Sequence, residues 1–267
     1  MPSSTLQQLR SASGLARSLF IYWRPGRQRS LKRLYQPFLA PGDIAFDIGA
    51  HLGDRSAAFQ ALGAQVVALE PQPTLAKWFQ RLLKSPHITL LPLAVGPETG
   101  HADIAISVGN PTLSTLATEW RSQVGERNPG FQRVRWEQTL KVEMTTLDAL
   151  IERFGEPRFI KIDVEGFEAE VLQGLSRPVA ALSVEFVAGM LDVSRACLEQ
   201  INRLGEYRFN AIAGEQRQFR FDTWLTPDEM ALWVDEGAEQ LASGDIYACR
   251  HDHPLLASSH TAPSASL

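Results

Sequence analysis

The sequence predicts an α/β fold, with a mainly parallel sheet covered by helices on both faces. Three observations carry this. From Pro41 onward, short apolar runs alternate with segments whose apolar residues recur at helical spacing. The apolar runs show little in-and-out alternation, as expected of strands buried on both faces. The first of them runs directly into a glycine-containing turn that opens a helix, the kind of junction where open α/β sheets bind ligands.

Taken in order, Ile44-Ala45-Phe46-Asp47-Ile48 reads as the first strand, followed by a helix over 54–62 that Gly63 closes. Gln65 to Glu70 is the second strand, built on Val66, Val67, Ala68 and Leu69. Leu75, Trp78, Phe79, Leu82 and Leu83 then follow the i, i+3, i+4, i+7, i+8 spacing of one buried helical face. Ile88 to Leu91 is a third strand. A second helical stripe, Leu147, Leu150, Ile151 and Phe154, has Thr146 as its N-cap. Phe159 to Asp163 is the fourth strand, and a helix with Phe167, Val171, Leu172 and Leu175 follows it. Ala181 to Phe186 is the fifth, with a helix near 192–204 and two late strands at Tyr207–Ile212 and Ile246–Arg250.

Two segments break the alternation. Residues 98–145 are too long for a simple connection and hold strand-like pieces at Ala102–Val108 and Leu140–Thr145, with Trp120, Arg121, Arg133, Arg135 and Trp136 between them. Residues 214–244 contain Thr226-Pro227-Asp228-Glu229, a capping box with proline at the first helical position. Both insertions read either as walls of a binding site or as caps over a sheet edge.

The ends differ from the middle. Residues 1–40 carry Arg10, Arg17, Arg24, Arg27, Arg29, Lys32 and Arg33 and no acid. Such a segment is expected to be a basic helical arm that packs Leu6, Leu9, Leu15, Leu19 and Phe20 on the domain, because it enters the first strand without a linker. A transit peptide or a membrane-surface helix would share its composition, and contact of the arm with a membrane is the less favoured reading. It lacks the apolar segment and cleavage site of a secretory signal. The domain proper is expected over 41–250. Residues 251–267, rich in Pro, Ser and His, read as a disordered tail in which His251 and His253 are surface residues rather than metal ligands.

Composition narrows the function. The 267 residues are 44% hydrophobic and 21% charged, ordinary for a globular protein with a full core. A net charge of -4 argues against broad electrostatic binding to nucleic acid. No apolar run reaches the length of a membrane span. Cys197 and Cys249, far apart and in unrelated contexts, are expected to be reduced thiols in a cytoplasmic protein.

The sharpest early motif is Phe46-Asp47-Ile48-Gly49-Ala50-His51-Leu52-Gly53 at the first strand-to-helix junction, followed by Glu70 in Leu69-Glu70-Pro71 at the end of the second strand. Glu70 stands where a carboxylate can accept hydrogen bonds from both ribose hydroxyls of an adenosine. Dinucleotide sites use G-x-G-x-x-G to present amides to a pyrophosphate. Here the spacing is Asp-x-Gly-x-x-x-Gly, and Asp47 would repel a pyrophosphate. A carboxylate suits the ammonium group of S-adenosylmethionine instead, so that cofactor is expected rather than NAD. A second signature ends the fourth strand: Ile160-Lys161-Ile162-Asp163-Val164-Glu165-Gly166-Phe167-Glu168, then Glu170-Val171-Leu172-Gln173-Gly174.

With these pieces, and with Leu93-Ala94-Val95-Gly96, Thr146-Leu147-Asp148 and Ser183-Val184-Glu185, the chain resembles the FkbM-type S-adenosylmethionine-dependent methyltransferases across roughly residues 37–250. The resemblance implies a Rossmann-like class I methyltransferase fold, a seven-stranded sheet with one antiparallel strand, and O-methylation. It also implies that Asp47, Gly49 and Gly53 line the methionine part of the cofactor. Glu70, followed by Pro71, would hold the ribose, with Leu93 and Ala94 near the adenine.

For the proton of an acceptor hydroxyl the candidate bases are Asp163, then Glu165, then His51. Glu165 could instead cap the following helix, and His51 could be an ordinary turn residue. Asp163, Glu165 and Glu185 could together bind Mg²⁺, but a metal-free base is preferred because no outer ligand set is visible. Lys161 could equally neutralise one acid and make the cluster structural. Of Glu168 and Glu170, at least one is expected to be a solvated charge. Trp120, Trp136 and Trp224, with the carboxylates, suit a sugar-like small-molecule or glycan acceptor, unless those rings belong to the core. The competing readings are a non-catalytic scaffold or partner protein of the same fold and an NAD(P)-linked oxidoreductase. The intact cofactor motif opposes the first, and the missing G-x-G-x-x-G opposes the second.

Overall fold

The computed structural model describes residues 14–107, 109, 114–128, 131–132 and 134–258. Leu6, Leu9 and Arg10 of the arm, Arg133 of the first insertion and residues 259–267 of the tail lie outside the described residues.

Helical residues 14–22 (α1) and α2 (Arg27–Tyr35) precede β1 (Ile44–Ile48), α3 (Asp54–Gln60), β2 (Gln65–Leu69), α4 (Pro73–Leu82) and β3 (Ile88–Leu91). The first insertion supplies β4 (Ala94–Val95), β5 (Gly100–Ile106), α5 (Thr118–Arg127) and β6 (Gln138–Thr145). Then come α6 (Leu147–Phe154), β7 (Phe159–Ile162), α7 (Glu168–Gln173), β8 (Ala181–Val187), α8 (Leu191–Leu204), β9 (Tyr207–Ala213), α9 (Pro227–Asp235), β10 (Ser243–Arg250) and α10 (Pro254–Ser258).

The main sheet has seven strands in the order β3-β2-β1-β7-β8-β10-β9. The pairs from β3 through β8 are parallel, and β10 runs antiparallel to both of its neighbours. The chain therefore adopts the Rossmann-like methyltransferase fold, seven strands with one reversed, that the sequence led us to expect. A separate three-stranded sheet, β4-β6-β5, forms from the first insertion.

Strand alternation divides the core into two layers. Phe46 and Ile48 of β1 and Val67 and Leu69 of β2 face a cluster with Leu147, Leu150, Val171, Leu172, Leu198 and Met230, which come from α6, α7, α8 and α9. Ala45, Val66 and Ala68 face the other way, onto Leu31, Tyr35, Phe59 and Phe79 from α2, α3 and α4. Both faces are thus buried, which is why the strands read as nearly continuous apolar runs. The caps follow the sequence: Thr146 Oγ1 accepts the Ala149 N–H at 3.1 Å, and Thr226 and Glu229 form a complete capping box at α9.

The arm packs on the domain through Leu15, Leu19 and Trp23, which meet Leu52, Leu75, Trp78 and Leu82. Phe20 departs from the expected stripe and is 79% exposed. The tail also departs from expectation at its start: His253 and Leu256 are buried and α10 is helical, because Leu255 and Leu256 extend the apolar layer around Phe38 and Tyr247. Cys197 and Cys249 are buried and free. Among the described residues no helix is long and apolar enough to cross a membrane.

Candidate active site

A cleft opens at the carboxyl ends of β1, β2, β7 and β8, with an empty space of about 1170 Å³ counted out to its mouth. Sheet register explains its polar floor. Asp47 on β1 pairs with Lys161 on β7, and Lys161 with Ser183 on β8, so these three stand in one cross-strand row. Farther along, Glu185 of β8 pairs with Asp245 of β10. Asp163 follows β7 directly and donates its N–H to Ile48 O at 3.0 Å.

The glycine turn is fixed by the acid of the next strand. Glu70 Oε2 accepts the His51 backbone N–H, and Oε1 accepts that of Gln72, each at 2.9 Å. Each carboxylate oxygen keeps acceptor capacity for a ligand hydroxyl. Burial pushes the Glu70 carboxyl up to about 8, against the lowering effect of the two amides. Asp47, buried at the end of β1, accepts Ser56 Oγ at 2.5 Å, and burial raises it although Lys161 opposes the shift.

The two turn glycines serve packing as much as ligand approach. Gly49 lines the cleft with φ +77°, and a Cβ there would lie 1.8 Å from Asp163 O. Gly53 was expected to line the cofactor site but is not among the cleft residues. It precedes α3 with φ +80°, and a Cβ would come within 2.6 Å of Phe79 of α4 and of Leu83, which follows that helix. Pro71, Leu93 and Ala94 do line the cleft, beside Leu75, Ile104 and Leu116 on its apolar side.

Three acids meet at the other side. Asp163, Glu165 and Glu185 each offer a carboxylate oxygen within 4.8 Å of the others. Asp163 is ion-paired with the buried Lys161. Burial tends to raise Asp163, but the Lys161 ammonium outweighs it and holds the carboxyl below its ordinary range. Burial and then the Asp163 charge push Glu165 and Glu185 well above theirs. Glu185 Oε2 is buried without a hydrogen-bond partner. The cluster thus sets a carboxylate held low by Lys161 beside two that burial and its charge raise.

The loop carrying Glu165 is held from two sides. Glu165 has φ +55°, and its carbonyl accepts Thr115 Oγ1 at 2.6 Å. Glu165 does not cap α7, which begins at Glu168. The loop is instead clamped by Glu168, whose carboxylate accepts the N–H groups of Val164 at 2.9 Å and Gly166 at 3.1 Å. Glu168 is therefore buried rather than solvated, and burial lifts it to about 7; Glu170 is half-buried. Trp120 packs on Gly166 so closely that a Cβ there would lie 2.3 Å from its ring. Trp120 and Trp136 join Val124 and Met190 in a small core, and Trp224 packs at a tilt against Phe219, so none of the three tryptophans lines the cleft.

His51 has φ +50° and lines the cleft, with Nε2 buried and unpartnered. Burial lowers its pKa to about 4, so the ring is neutral near pH 7. Arg55, Asp245, Glu215 and Tyr22 also line the cleft and were not singled out from sequence. Asp245 left one signal, an acid inside an otherwise apolar strand. Arg55 and Glu215 left none, and Tyr22 lay in a segment read as an arm. Arg55 Nη1 meets Asp54 Oδ2 at 2.9 Å and its Nη2 meets Glu215 Oε1 at 3.6 Å, so the second insertion reaches the glycine turn through charge contacts.

The methyltransferase FkbM domain model matches residues 47–236. The hexuronic acid methyltransferase AglP of Haloferax volcanii is 29% identical over 148 residues, 54% of this chain and 54% of that protein, so the chain spans about half the length of this curated relative. Among solved structures, the precorrin-6y C5,15-methyltransferase of Geobacter metallireducens GS-15 aligns with a TM-score of 0.44 at 13% identity, over 84% of this chain and 87% of that one. A SAM-dependent O-methyltransferase of Thermotoga maritima aligns with a TM-score of 0.41 at 11% identity, over 83% and 64%.

Proposed function

The chain belongs to the FkbM methyltransferase family, and from that premise we propose that it is an S-adenosylmethionine-dependent O-methyltransferase acting on a hydroxyl of a sugar-like acceptor. The observation that carries the reading is Glu70. It is a buried carboxylate at the end of β2, already holding the turn after β1, with acceptor capacity left on both oxygens for a ribose diol. Asp47 and Gly49 would hold the methionine end, and Leu93, Ala94 and Pro71 the adenine side. Gly53 supports the turn from behind. When bound, the cofactor supplies an activated methyl group on a sulfonium.

The chain's own residues then align an acceptor and take its proton. Alignment of reacting groups contributes about 7–11 kcal/mol in well-organised sites. Asp163, kept ionised by Lys161, accepts the hydrogen bond of the acceptor hydroxyl. As the oxygen–methyl bond forms and the sulfur–methyl bond breaks, the acceptor's proton would pass to Asp163, the ionised member of the Asp163–Glu165–Glu185 cluster. Neutral His51, with its free Nε2, is the second candidate to receive it.

The relative's name favours a sugar acceptor, and the walls favour a hydroxyl of it. Asp163, Glu165, Glu185 and Asp245 can accept hydrogen bonds from a polyol, whereas Arg55 and Lys161 are already matched by Asp54 and Asp163. A carboxylate acceptor would face these acids uncompensated. The reading therefore specifies an ether rather than an ester product. It is tested by incubating the protein with methyl-labelled S-adenosylmethionine and a panel of neutral glycosides and uronic acids. Label in a neutral glycoside that survives mild base supports the proposal; label released by mild base from a uronic acid contradicts it.

A further inference from the structure

We infer that the N-terminal arm completes the cleft, with Tyr22 as a positioning residue that holds His51 and the ligand from a side the family match, which begins at residue 47, does not include. The inference rests on the S-adenosylmethionine reading above. Tyr22 lies at the end of α1 and lines the same cleft as His51 and Glu70. Its ring meets the His51 ring edge-on, with centroids 5.0 Å apart and planes at 63°. This contact explains how a non-glycine residue at φ +50° is kept in place: the imidazole is seated against an aromatic edge. With Nδ1 and Nε2 the only polar atoms of that ring, the unpartnered Nε2 is the group left for a ligand to satisfy.

The arm is fastened at this point by polar contacts to the turn. Arg27 is 4% exposed. Its Nε donates to Asp54 Oδ2 at 2.8 Å, and its Nη2 lies 2.9 Å from Glu215 Oε2 as a charge contact. Its guanidinium also sits over the Tyr22 ring, 5.0 Å from the centroid. Trp23 Nε1 donates to Leu52 O at 3.3 Å, and Gln28 Nε2 to Asp54 O at 3.0 Å. One buried cation thus ties the arm, the start of α3 and the second insertion together, and among the described residues Tyr22 is the arm residue that this anchoring presents to the cleft. A helix serving only to cover the sheet would need the Leu15, Leu19 and Trp23 contacts alone.

The test uses the full chain, with S-adenosylhomocysteine as probe and calorimetry as readout, on Tyr22→Ala, Tyr22→Phe, His51→Ala and the Tyr22→Ala/His51→Ala pair, alongside thermal unfolding. Tyr22→Ala is expected to weaken binding about tenfold and Tyr22→Phe less than threefold, because the ring rather than the hydroxyl makes the contact. The double variant should bind about as weakly as the worse single variant, the non-additivity of two residues acting as a unit. Hydrogen exchange over 14–35 should slow when the probe binds. The inference is overturned if Tyr22→Ala binds within twofold of wild type, if the two losses multiply, or if exchange in the arm ignores the probe. Failure of the wild-type chain to bind the probe would be a different result: it would remove the cofactor reading on which this inference stands.

Discussion

Glu70 Oε2 accepts the backbone N–H of His51 at 2.9 Å, so the acid that ends β2 also sets the turn that ends β1. A residue expected to read a ribose thereby also shapes the neighbouring loop, and its protonation becomes part of ligand binding. Burial lifts Glu70 from an ordinary 4.5 to about 8, so near neutrality the free protein retains a proton there. A ribose diol donating to Glu70 favours the ionised form, and binding should release that proton. Affinity for S-adenosylhomocysteine is expected to rise between pH 6 and pH 8, by up to about tenfold per unit, and to flatten above. Glu70→Gln should bind more weakly and lose this dependence, as titration at three pH values would reveal. The sign for stability is opposite: the folded state binds the extra proton between 4.5 and about 8, so Glu70 makes the free protein less stable as pH rises through that window.

Gly53→Ala separates packing from binding. The new methyl would strike Phe79 and Leu83 at a left-handed backbone position, so a loss of about 2–4 kcal/mol in unfolding free energy is expected by denaturant titration. Because Gly53 does not line the cleft, the folded fraction should bind S-adenosylhomocysteine within threefold of wild type. A binding loss with intact stability would return Gly53 to the cofactor site.

Lys161 and Asp163 form a buried pair whose halves should fail differently. Lys161→Met leaves the Asp163 charge without its partner, and a loss of about 3 kcal/mol is expected in thermal or chemical unfolding. Asp163→Asn leaves a cation that Asp47 and Asp245 still partly offset, so its stability cost should be smaller. Its turnover should fall about 10²-fold or more with little change in cofactor affinity. Equal kcat for Asp163→Asn and wild type would move the base to another residue.

The acid cluster also allows a direct check of metal dependence. Asp163 is committed to Lys161, which leaves one fewer free carboxylate for a cation. Turnover should therefore survive exhaustive chelation and gain less than twofold from added Mg²⁺. A collapse with chelator that Mg²⁺ restores would show the three carboxylates, within 4.8 Å of one another, to be ligands instead.

What was legible in the sequence follows from how locally each feature is determined. The strands were visible because β1, β2 and β7 are buried on both faces and leave unbroken apolar runs. Asp47, Glu70 and Asp163 stood out because an acid ending such a run is conspicuous. The physical role of Gly53 was not visible, since its constraint comes from Phe79 and Leu83, at and just past the end of a helix more than twenty residues away. Trp120 offered a sugar-binding ring by type but packs on Gly166, a contact made by the fold. Tyr22, Arg55 and Glu215 reach the cleft from three separated segments, joined by ion pairs that no local pattern announces.

The central claim is tested most directly by calorimetric titration of the full chain with S-adenosylmethionine, S-adenosylhomocysteine and NAD, in parallel with Glu70→Ala. Binding of the first two but not NAD, weakened at least tenfold in the variant, is the result predicted by a ribose held on Glu70. Binding of NAD alone, or binding of the methyl donor that Glu70→Ala leaves unchanged, would contradict the account of this cleft.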